Sequence, residues 1–362
     1  MTMTELPIKL TKRKIAAVSS DPVKTAKAVN LVYVSDTEEG ILREKRGSKF
    51  FYTDKGKKLT DADDLNRIKK LVIPPAWQNV WICKKANGHL QVTGTDVKNR
   101  KQYRYHASWN ALRNQTKFYK MHAFGEALPA IRLQLEKDLA KQGLPQEKVL
   151  ATIVSLMERT NIRIGSSLYE KLYGSYGLTT FKDKHVEVKG ANLDFYFKGK
   201  KGVYHNINIK SKRLANIVQQ CKDIPGKELF QYMDENDERH CIDSGMVNGY
   251  IHAISGGDFT AKDFRTWAGT VYALLAFMEI GFGENITGTK KNVVEVLNRV
   301  STQLGNTRTV CKKYYVNPVI IDLYENRSLD KYFKSLEKIE KDDNHADLSP
   351  EEKIVMQILE AT

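Results

Sequence analysis

The spacing of hydrophobic positions changes near residue 110 of the chain. Ahead of that point, short β-rich runs are separated by glycine and charged turns, a pattern typical of strands. These runs are LVYVSD, SKFFYTD, VWICKK and GHLQVTGTD. One helical stretch, DADDLNRIKKLV, lies among them, with Asp61 or Asp63 as its expected N-cap. Residues 23–110 therefore predict a small domain dominated by strands.

Beyond this point the apolar spacing becomes helical. Helices are predicted from Ala107 to Lys141, over KVLATIVSLMERTNIRIG, and later over SKRLANIVQQCKD, SGMVNGYIHAIS, FRTWAGTVYALLAFMEIGF and KNVVEVLNRVSTQLG. Thr260 is the expected N-cap of the helix that contains FRTW. Strand-like runs at about 180–210 interrupt the helices. The chain as a whole predicts an α+β protein, with a β-rich N-terminal domain and a larger, mostly helical domain over 111–328 that contains a small sheet.

Both ends of the chain differ from the middle in charge. Residues 1–22 are interpreted as a basic flexible leader, and residues 329–362 as a charged C-terminal tail. The tail sequence KSLEKIEKDDNHADLSPEEK favours a solvated helix or a tether. We expect this tail to add non-specific affinity or partner contacts.

The composition favours a polyanionic partner. The chain has a net charge of +15 and 41% hydrophobic residues, which is enough for a sizeable core. Nucleic acid is favoured over an acidic membrane surface, although the charge alone fits an ordinary basic enzyme equally well. The four cysteines form no CxxC pair and no zinc-finger spacing, which indicates a reducing cytosol. With no apolar signal core and no apolar run near roughly 20 residues, we expect an intracellular protein without a membrane span.

The segment NGHLQVTGTDVKNRKQYRYH combines cations with aromatic side chains. Cations at this density neutralise phosphates, and tyrosine or histidine can hydrogen-bond to a nucleic-acid backbone or to base edges. The alternative is an exposed strand edge protected by charged residues. The interleaved tyrosines favour contact with nucleic acid. The residues expected to make it are Lys98, Arg100, Lys101, Tyr103, Arg104, Tyr105 and His106.

Four later features carry candidate chemistry. Arg163 follows a helix end in ERTNIRIG, and Lys200 lies in a tight Gly-Lys-Lys-Gly hairpin turn. Arg265 lies in the early turns of a helix. Asn306 precedes Tyr315 by nine residues, on what reads as one helix after a loop. Each feature alone is weak, because a lone cation is usually a surface charge and a lone tyrosine usually belongs to the core.

In combination, these segments resemble the bacterial and poxvirus-type branch of the type IB DNA topoisomerases. The matching motifs are IPPAWQNVWI, GHLQVTGTDVKNRKQYRYH, IRIG with GSYGLTTFKDKHV, FKGKKG, KDFRTW, and LGNT through YYVNP. They occur in the family's order over about residues 30–325. The resemblance implies two lobes that close as a clamp around duplex DNA. It also implies a monomer that acts in the cytoplasm, associated with the nucleoid.

The resemblance assigns a role to each candidate residue. It makes Tyr315 the nucleophile, Arg163, Lys200 and Arg265 the catalytic basic set, and Asn306 a substitute for the histidine of other branches. Lys200 is then the general acid that protonates the 5′-hydroxyl leaving group. The implied reaction passes through a 3′-phosphotyrosyl intermediate, strand rotation and religation, with no metal and no cofactor. Without a metal, fixed cations stabilise the charge of the pentacoordinate phosphorus.

The sequence departs from the family pattern at a few positions. Arg308 stands where proline is frequent, Asn99 where glycine is common, and Ser166 and Ser167 where longer polar residues are usual. None of these removes a catalytic group. The nine-residue spacing from the asparagine favours Tyr315 as the nucleophile over its neighbour Tyr314.

Three other functions remain as alternatives. A tyrosine recombinase or integrase typically has histidine three residues before its second arginine, where KDFR has Lys262. That interpretation also leaves the β-rich N-terminal half unexplained. A non-enzymatic DNA-binding relative is opposed by the complete set of catalytic residues. A metal-dependent nuclease finds no support, because Asp96, Asp183 and Asp258 are isolated and no GxxxxGK[ST] loop is present.

Overall fold

The computed structural model describes residues 22–47, 49–97, 99, 101–236, 238–337, 339 and 346–361. The predicted basic leader lies outside the described residues, except for its last position. Two of the residues expected to contact nucleic acid, Lys98 and Arg100, also lie outside them. The chain divides into two compact units, Met1–Tyr119 and Lys120–Thr362. The domain boundaries taken from the sequence stay a prediction.

The first unit is built on a six-stranded antiparallel sheet with the strand order β3-β2-β1-β4-β5-β6. Its strands are β1 Ile41–Arg46, β2 Lys49–Asp54, β3 Lys57–Lys58, β4 Gln78–Ile82, β5 Leu90–Thr95 and β6 Lys101–Tyr105. Helix α1 covers Pro22–Lys27 and α2 covers Ala62–Lys70, while α3 covers Ala107–Leu139 and contains the division between the units.

The core of the first unit lies between α2 and one face of this sheet. Ile68 of α2 packs against the buried side chains of the central strands, which are Ile41, Val80, Ile82 and Val92. Burial of one such aliphatic side chain contributes about 1.5–3 kcal/mol. The carboxylate of Asp61 accepts a hydrogen bond from the Asp64 amide at 2.8 Å, which confirms the first of the two expected N-caps of α2.

Three of the four predicted strand runs are strands, β2, β4 and β5. The prediction for LVYVSD is wrong, because this segment forms only an isolated bridge between Val32 and Gly88. Its apolar side chains pack instead beneath tryptophans, Leu31 against Trp109 and Val34 against Trp81. The sequence does not predict β1, because four of its six residues are charged, whereas β6 corresponds to the exposed strand edge given as the alternative interpretation of its segment.

The second unit is mostly helical. Its helices after α3 are α4 Gln146–Thr160, α5 Ser167–Tyr173, α6 Lys212–Asp223, α7 Ser244–Ser255, α8 Ala261–Ile280, α9 Ile286–Leu304, α10 Arg308–Tyr314, α11 Pro318–Glu325, α12 Asp330–Leu336 and α13 Pro350–Glu360. Its strands are β7 Val186–Lys189, β8 Asn192–Lys198 and β9 Tyr204–Lys210, which form one antiparallel sheet, and the hairpin β10 Gln231–Met233 with β11 Arg239–Cys241.

Helix α4 is the central helix of the second unit. Eleven of its fifteen residues are buried, and it contacts α6, α7, α8 and the hairpin of β10 and β11. The three-stranded sheet packs its inner face on Phe181, whose ring lies 4.7 Å from the ring of Phe197 and 5.8 Å from that of Phe195. The predicted α+β fold and the helices expected beyond residue 110 are confirmed. Over the residues that the structure describes, no helix combines the length and apolar character needed to cross a bilayer.

The segment expected to be a solvated tail contains a packed helix. Helix α13 buries its apolar face, with Ile354, Val355, Met356 and Ile358 inside the unit. Its Glu352 is also buried and pairs with Arg132 of α3 through two hydrogen bonds of 2.8 and 2.9 Å. The charged residues around the apolar run IVMQIL concealed this face in the sequence.

Candidate active site

Arg163 lies in the loop that follows α4. The helix ends at Asn161, which adopts a left-handed conformation with φ 55°. The loop then packs against the segment after α5, where the Leu178 amide donates to the Arg163 carbonyl at 3.0 Å. A Cβ added to Gly177 would lie 2.5 Å from the same carbonyl oxygen, so only glycine permits this approach. The motifs IRIG and GLTT therefore fold as one structure that fixes Arg163.

Lys200 occupies the turn between β8 and β9, as the sequence predicts. The Gly199 amide donates to the Val203 carbonyl at 2.7 Å and closes the turn. Lys201 and Gly202 both have positive φ, 63° and 81°. The turn thus presents Lys200 at the tip of a hairpin whose base is anchored in the core.

Arg265 lies on the second turn of α8 and is 5% exposed. Thr260 begins this helix through a capping box with Asp263, which confirms the predicted N-cap. The guanidinium donates through Nη2 to the Leu304 carbonyl at 2.6 Å and through Nη1 to the Asn161 carbonyl. Arg265 therefore joins the end of α4 to the end of α9.

Asn306 and Tyr315 lie at opposite ends of α10, which corrects the prediction that one helix carries both. Helix α9 ends at Gly305 with φ 56°, and Asn306 follows in the loop. Thr307 then begins α10, and Tyr315 ends it. The break arises because Gly305 adopts the left-handed conformation and Thr307 accepts from the Val310 amide, which together stop one helix and start the next.

The backbone of Tyr315 is held against α8 by a close contact. Thr270 donates through Oγ1 to the Tyr315 carbonyl at 3.3 Å. A Cβ added to Gly269 would lie 2.6 Å from that carbonyl oxygen. The guanidinium carbon of Arg265 lies 5.3 Å from the centre of the Tyr315 ring. The neighbouring Tyr314 is 36% exposed and has its ring near Lys313 instead.

The structure brings the five predicted catalytic residues into one cluster. Arg163 donates through Nη2 to the Gly305 carbonyl at 2.9 Å and also to Oδ1 of Asn306. The electrostatic influence of Tyr315 reaches all three cations and favours their protonated forms. Cations and phenol therefore share one site, as the sequence predicts.

Burial and mutual repulsion lower the pKa values of the cations at this site. Burial and then the charge of Arg265 lower the pKa of Arg163 to about 10. Lys200 is exposed as a residue, yet loss of water around its ammonium group, followed by repulsion from Arg163, lowers its pKa. Burial likewise lowers the pKa of Arg265, while its interactions with Tyr315 oppose that shift. Among the residues that the structure describes, no carboxylate forms an ion pair with these three cations. The cluster is therefore complementary to an anion.

Two buried donors in the cluster have no hydrogen-bond partner within the described part of the chain. They are Nε of Arg265 and Nδ2 of Asn306. An unsatisfied buried donor costs about 1–3 kcal/mol. Both donors belong to predicted site residues, so an anion that accepts from them recovers this cost on binding.

Two further side chains at the site were not predicted. The ring of His205 lies beside Gly305 and Gly199, and burial followed by the charges of Arg163 and Arg265 lowers its pKa. The strand alternation of β9 already places His205 on the inner face with Ile207 and Ile209, but nothing in the sequence links that face to Lys200.

Cys311 of α10 is the second unpredicted side chain, and it is fully buried. Burial raises the pKa of its thiol to about 11, while the charges of Arg265 and Arg163 oppose the shift.

Of the residues expected to contact nucleic acid, those that the structure describes lie on β6 and just after it. Strand β6 forms an edge of the six-stranded sheet. Tyr103 is 48% exposed and stacks on Tyr105, and Lys101 pairs with Asp36 at 2.5 Å. Arg104 is half-buried on the same strand.

Tyr105 and His106 also have structural contacts in the first unit. Tyr105 is half-buried, and burial raises its pKa. His106 accepts from the Ser108 amide at 3.2 Å through Nδ1, at the start of α3. Contact between these residues and nucleic acid stays a prediction.

One group of potential metal ligands lies outside this cluster. Asp234, Glu238 and His240 of the β10–β11 hairpin have ligand atoms within 4.8 Å of one another. The Asp234 carboxylate already accepts from the amides of Asn236 and Glu238, at 2.9 and 2.8 Å. None of the predicted catalytic residues belongs to this group.

Comparison with known proteins covers both units of the chain. Residues 106–345 match the family described as "Eukaryotic DNA topoisomerase I, catalytic core", and residues 49–96 match "Bacterial DNA topoisomerase IB, N-terminal domain". A DNA topoisomerase 1B of Acanthamoeba polyphaga mimivirus is 33% identical over 297 residues, which cover 80% of this chain and 88% of the relative. A DNA topoisomerase 1B of vaccinia virus (strain Copenhagen) is 23% identical over 299 residues, covering 77% of this chain and 90% of the relative. All five residues of the cluster lie within the first matched range.

Proposed function

The chain belongs to the type IB DNA topoisomerases, and we propose that it relaxes supercoiled duplex DNA by cutting and resealing one strand without ATP or a metal ion. The proposed intermediate is a 3′-phosphotyrosyl ester on Tyr315. It leaves a free 5′-hydroxyl strand that rotates about the intact strand and then attacks the ester. The energy of the broken phosphodiester stays in the tyrosyl ester, so resealing requires no ATP.

In the proposed cleavage step, the Tyr315 oxygen attacks the scissile phosphorus. Arg163 and Arg265 stabilise the charge that develops on the non-bridging oxygens, because a guanidinium is permanently charged and offers several donors in one plane. Asn306 adds a neutral donor through Nδ2. The two donors that have no partner in the described residues, Arg265 Nε and Asn306 Nδ2, support this assignment.

Lys200 is the proposed general acid. The 5′-alkoxide is a poor leaving group, and a proton transferred from an ammonium group removes the need to expel it as an anion. The lowered pKa of Lys200 supports this role, because it brings the lysine closer to neutral pH and makes proton transfer easier. In religation the same group accepts the proton of the attacking 5′-hydroxyl.

For the first unit, we propose contact with duplex DNA through residues of β6 and the positions immediately before and after it. These are Lys98, Arg100, Lys101, Tyr103, Arg104, Tyr105 and His106. Tyr103 is the exposed aromatic of the set, and Lys101 lies beside it with its ammonium 5.7 Å from the ring centre. Cationic contacts with phosphates make affinity strongly dependent on salt. We further propose that the protein acts as a monomer, associated with the nucleoid.

The observation that carries this proposal is the composition of the cluster around Tyr315. Arg163, Lys200 and Arg265 each interact electrostatically with the Tyr315 side chain, and no carboxylate pairs with them within the described residues. A metal-dependent phosphotransferase places carboxylates at this point to hold its ions. Fixed cations next to a tyrosine suit transfer of a phosphoryl group to the tyrosine itself.

A plasmid assay tests the proposal. The wild type, Tyr315→Phe and the matched control Tyr314→Phe are incubated with supercoiled plasmid in excess EDTA without ATP. We expect a ladder of relaxed topoisomers from the wild type and from Tyr314→Phe, and none from Tyr315→Phe. In parallel, detergent-quenched reactions with a duplex labelled on either side of the nick identify the covalently attached end.

Each other outcome rejects a different part of the proposal. Relaxation by Tyr315→Phe would reject the nucleophile. DNA binding without relaxation by the wild type would favour a non-enzymatic DNA-binding protein. Attachment to the 5′ end would reject the 3′-phosphotyrosyl intermediate.

A further inference from the structure

His205 is a titratable side chain at the site for which the proposed mechanism has no role. It lies on β9, five residues after Lys200, directly opposite Phe197 of β8. Its ring stacks on that of Phe197, with 5.0 Å between the ring centres and 19° between the planes. The stack fixes the ring on the inner face of the hairpin that presents Lys200.

Two glycines from different elements allow this ring to lie between them. A Cβ added to Gly199 would lie 2.7 Å from Cδ2 and Nε2 of His205, and one added to Gly305 would lie 2.4 Å from Cε1. Real Cβ atoms do not approach other atoms so closely, so the ring fills the space that a side chain at either position would take. Gly199 begins the turn of Lys200, and Gly305 immediately precedes Asn306.

The ring is an uncharged spacer between these two loops at neutral pH. Burial, with the charges of Arg163 and Arg265, lowers the pKa of His205 below its ordinary value of 6.5. An additional cation here would repel both arginines. The contribution of His205 is therefore its shape and its position, and not its charge.

We propose that His205 is a positioning residue that holds the Lys200 turn against the Asn306 loop, so that the Lys200 ammonium reaches the 5′-oxygen of the scissile bond. This inference rests on the proposed function. In the step concerned, a bond forms between the Tyr315 oxygen and phosphorus while the bond from phosphorus to the 5′-oxygen breaks. The Tyr315 hydroxyl releases its proton to water as its oxygen bonds to phosphorus, a proton moves from Lys200 to the 5′-oxygen, and no atom changes oxidation state.

A substrate that needs no general acid isolates this role. Replacing the bridging 5′-oxygen with sulfur makes the leaving group a thiolate, which departs without a proton because thiols are far more acidic than alcohols. Single-turnover cleavage is measured with both substrates at a site mapped for the wild type. The variants are His205→Ala, His205→Gln, His205→Phe and Lys200→Ala. The matched control is Asn206→Ala, which changes the next residue of β9, whose side chain lies on the exposed face.

We expect His205→Ala and His205→Gln to slow cleavage of the oxygen substrate by about 10- to 100-fold, the loss that a displacement of about 1 Å produces in a catalytic group. With the sulfur substrate, both variants regain a rate close to that of the wild type, as Lys200→Ala does. His205→Phe keeps a flat ring and retains most of the activity on the oxygen substrate. Asn206→Ala behaves as the wild type with both substrates.

The comparison of substrates also separates the positioning role of His205 from the general-acid role of Lys200. If Lys200→Ala is restored by sulfur and the His205 variants remain slow, His205 does not act through Lys200 and this inference is overturned. Normal cleavage of the oxygen substrate by His205→Ala and His205→Gln overturns it as well. If sulfur fails to restore Lys200→Ala, the general-acid role in the proposed function is wrong. Because Gln retains polarity and bulk, its result stands even if the Ala variant does not fold.

Discussion

Arg132 and Arg265 are two arginines of the helical unit that lose most of their contact with water, and their surroundings differ in charge. Arg132 donates through Nε to Glu158 at 2.8 Å and through Nη1 and Nη2 to both carboxylate oxygens of Glu352. The carboxylates raise its pKa even though burial acts in the opposite direction. Arg265 donates to two backbone carbonyls and forms no ion pair with a carboxylate in the described residues, and burial lowers its pKa although its interactions with Tyr315 oppose the shift.

The difference separates a structural charge from one prepared for a ligand. A buried guanidinium with two carboxylates is complete in the folded protein, and removal of either side leaves an uncompensated charge. A buried guanidinium without a carboxylate is costly until an anion arrives. Burial alone therefore does not distinguish these two arginines, whereas the presence of carboxylate partners at Arg132 and the lack of an ion pair at Arg265 in the described residues does.

The largest expected effect is on the structural side of this comparison. Arg132→Met leaves Glu158 and Glu352 without their cation. We expect it to lower the free energy of unfolding by about 3–5 kcal/mol. The matched control is Arg213→Met, which breaks an exposed pair with Glu136 and should cost about 1 kcal/mol or less. Chemical denaturation measures both. A loss for Arg132→Met no greater than that of the control would contradict the comparison.

The second prediction concerns the catalytic side. Arg265→Met removes donors to the developing phosphate charge, and we expect cleavage to slow by about 10²- to 10³-fold, equivalent to roughly 2.7–4 kcal/mol in the barrier. Its free energy of unfolding should fall by less than about 1 kcal/mol, because the lost backbone contacts are offset by removal of an unpaired buried charge. Arg299→Met, on the exposed face of α9, serves as the control for both measurements. Severe destabilisation of Arg265→Met would show that the arginine is mainly structural.

The third and smallest effect concerns a simple anion. Inorganic phosphate should stabilise the wild type by about 1 kcal/mol at a concentration several times its dissociation constant, since it binds the folded protein only. The shift is measured as the change in thermal midpoint against sodium chloride of equal ionic strength. The phosphate-specific part of this shift in thermal midpoint should disappear in Arg265→Met and persist in Arg132→Met. An equal shift in the wild type and in Arg265→Met would place the anion elsewhere.

The sequence predicted the members of the catalytic cluster better than the structural ion pair. Resemblance in separate motifs selected Arg163, Lys200, Arg265, Asn306 and Tyr315, because each motif has a local signature such as a glycine turn or a capped helix. Their grouping in one cluster is confirmed by the contacts, while their roles stay a proposal.

Long-range packing could not be predicted in the same way. The pair of Arg132 with Glu352 joins residues 220 positions apart, and nothing local to either residue indicates the other. The same limit applies to His205, whose partners Gly199 and Gly305 meet only in the folded unit. The separation of Asn306 from Tyr315 by a helix start was missed because a glycine in the sequence can lie within a helix or end it, and the left-handed conformation that ends α9 at Gly305 is seen only in the structure.

The docking of α13 has a consequence for the order of events during protein synthesis. Glu352 accepts from Nε1 of Trp267 at 2.8 Å, and Trp267 lies two residues after Arg265 on α8. Until residue 352 has left the ribosome, the Trp267 indole lacks this acceptor and Arg132 lacks two of its carboxylate contacts. A nascent chain that already contains Tyr315 therefore still lacks the contact by which α13 supports α8, the helix that carries Arg265. Helix α8 therefore gains this contact only after all five residues of the cluster have been synthesised.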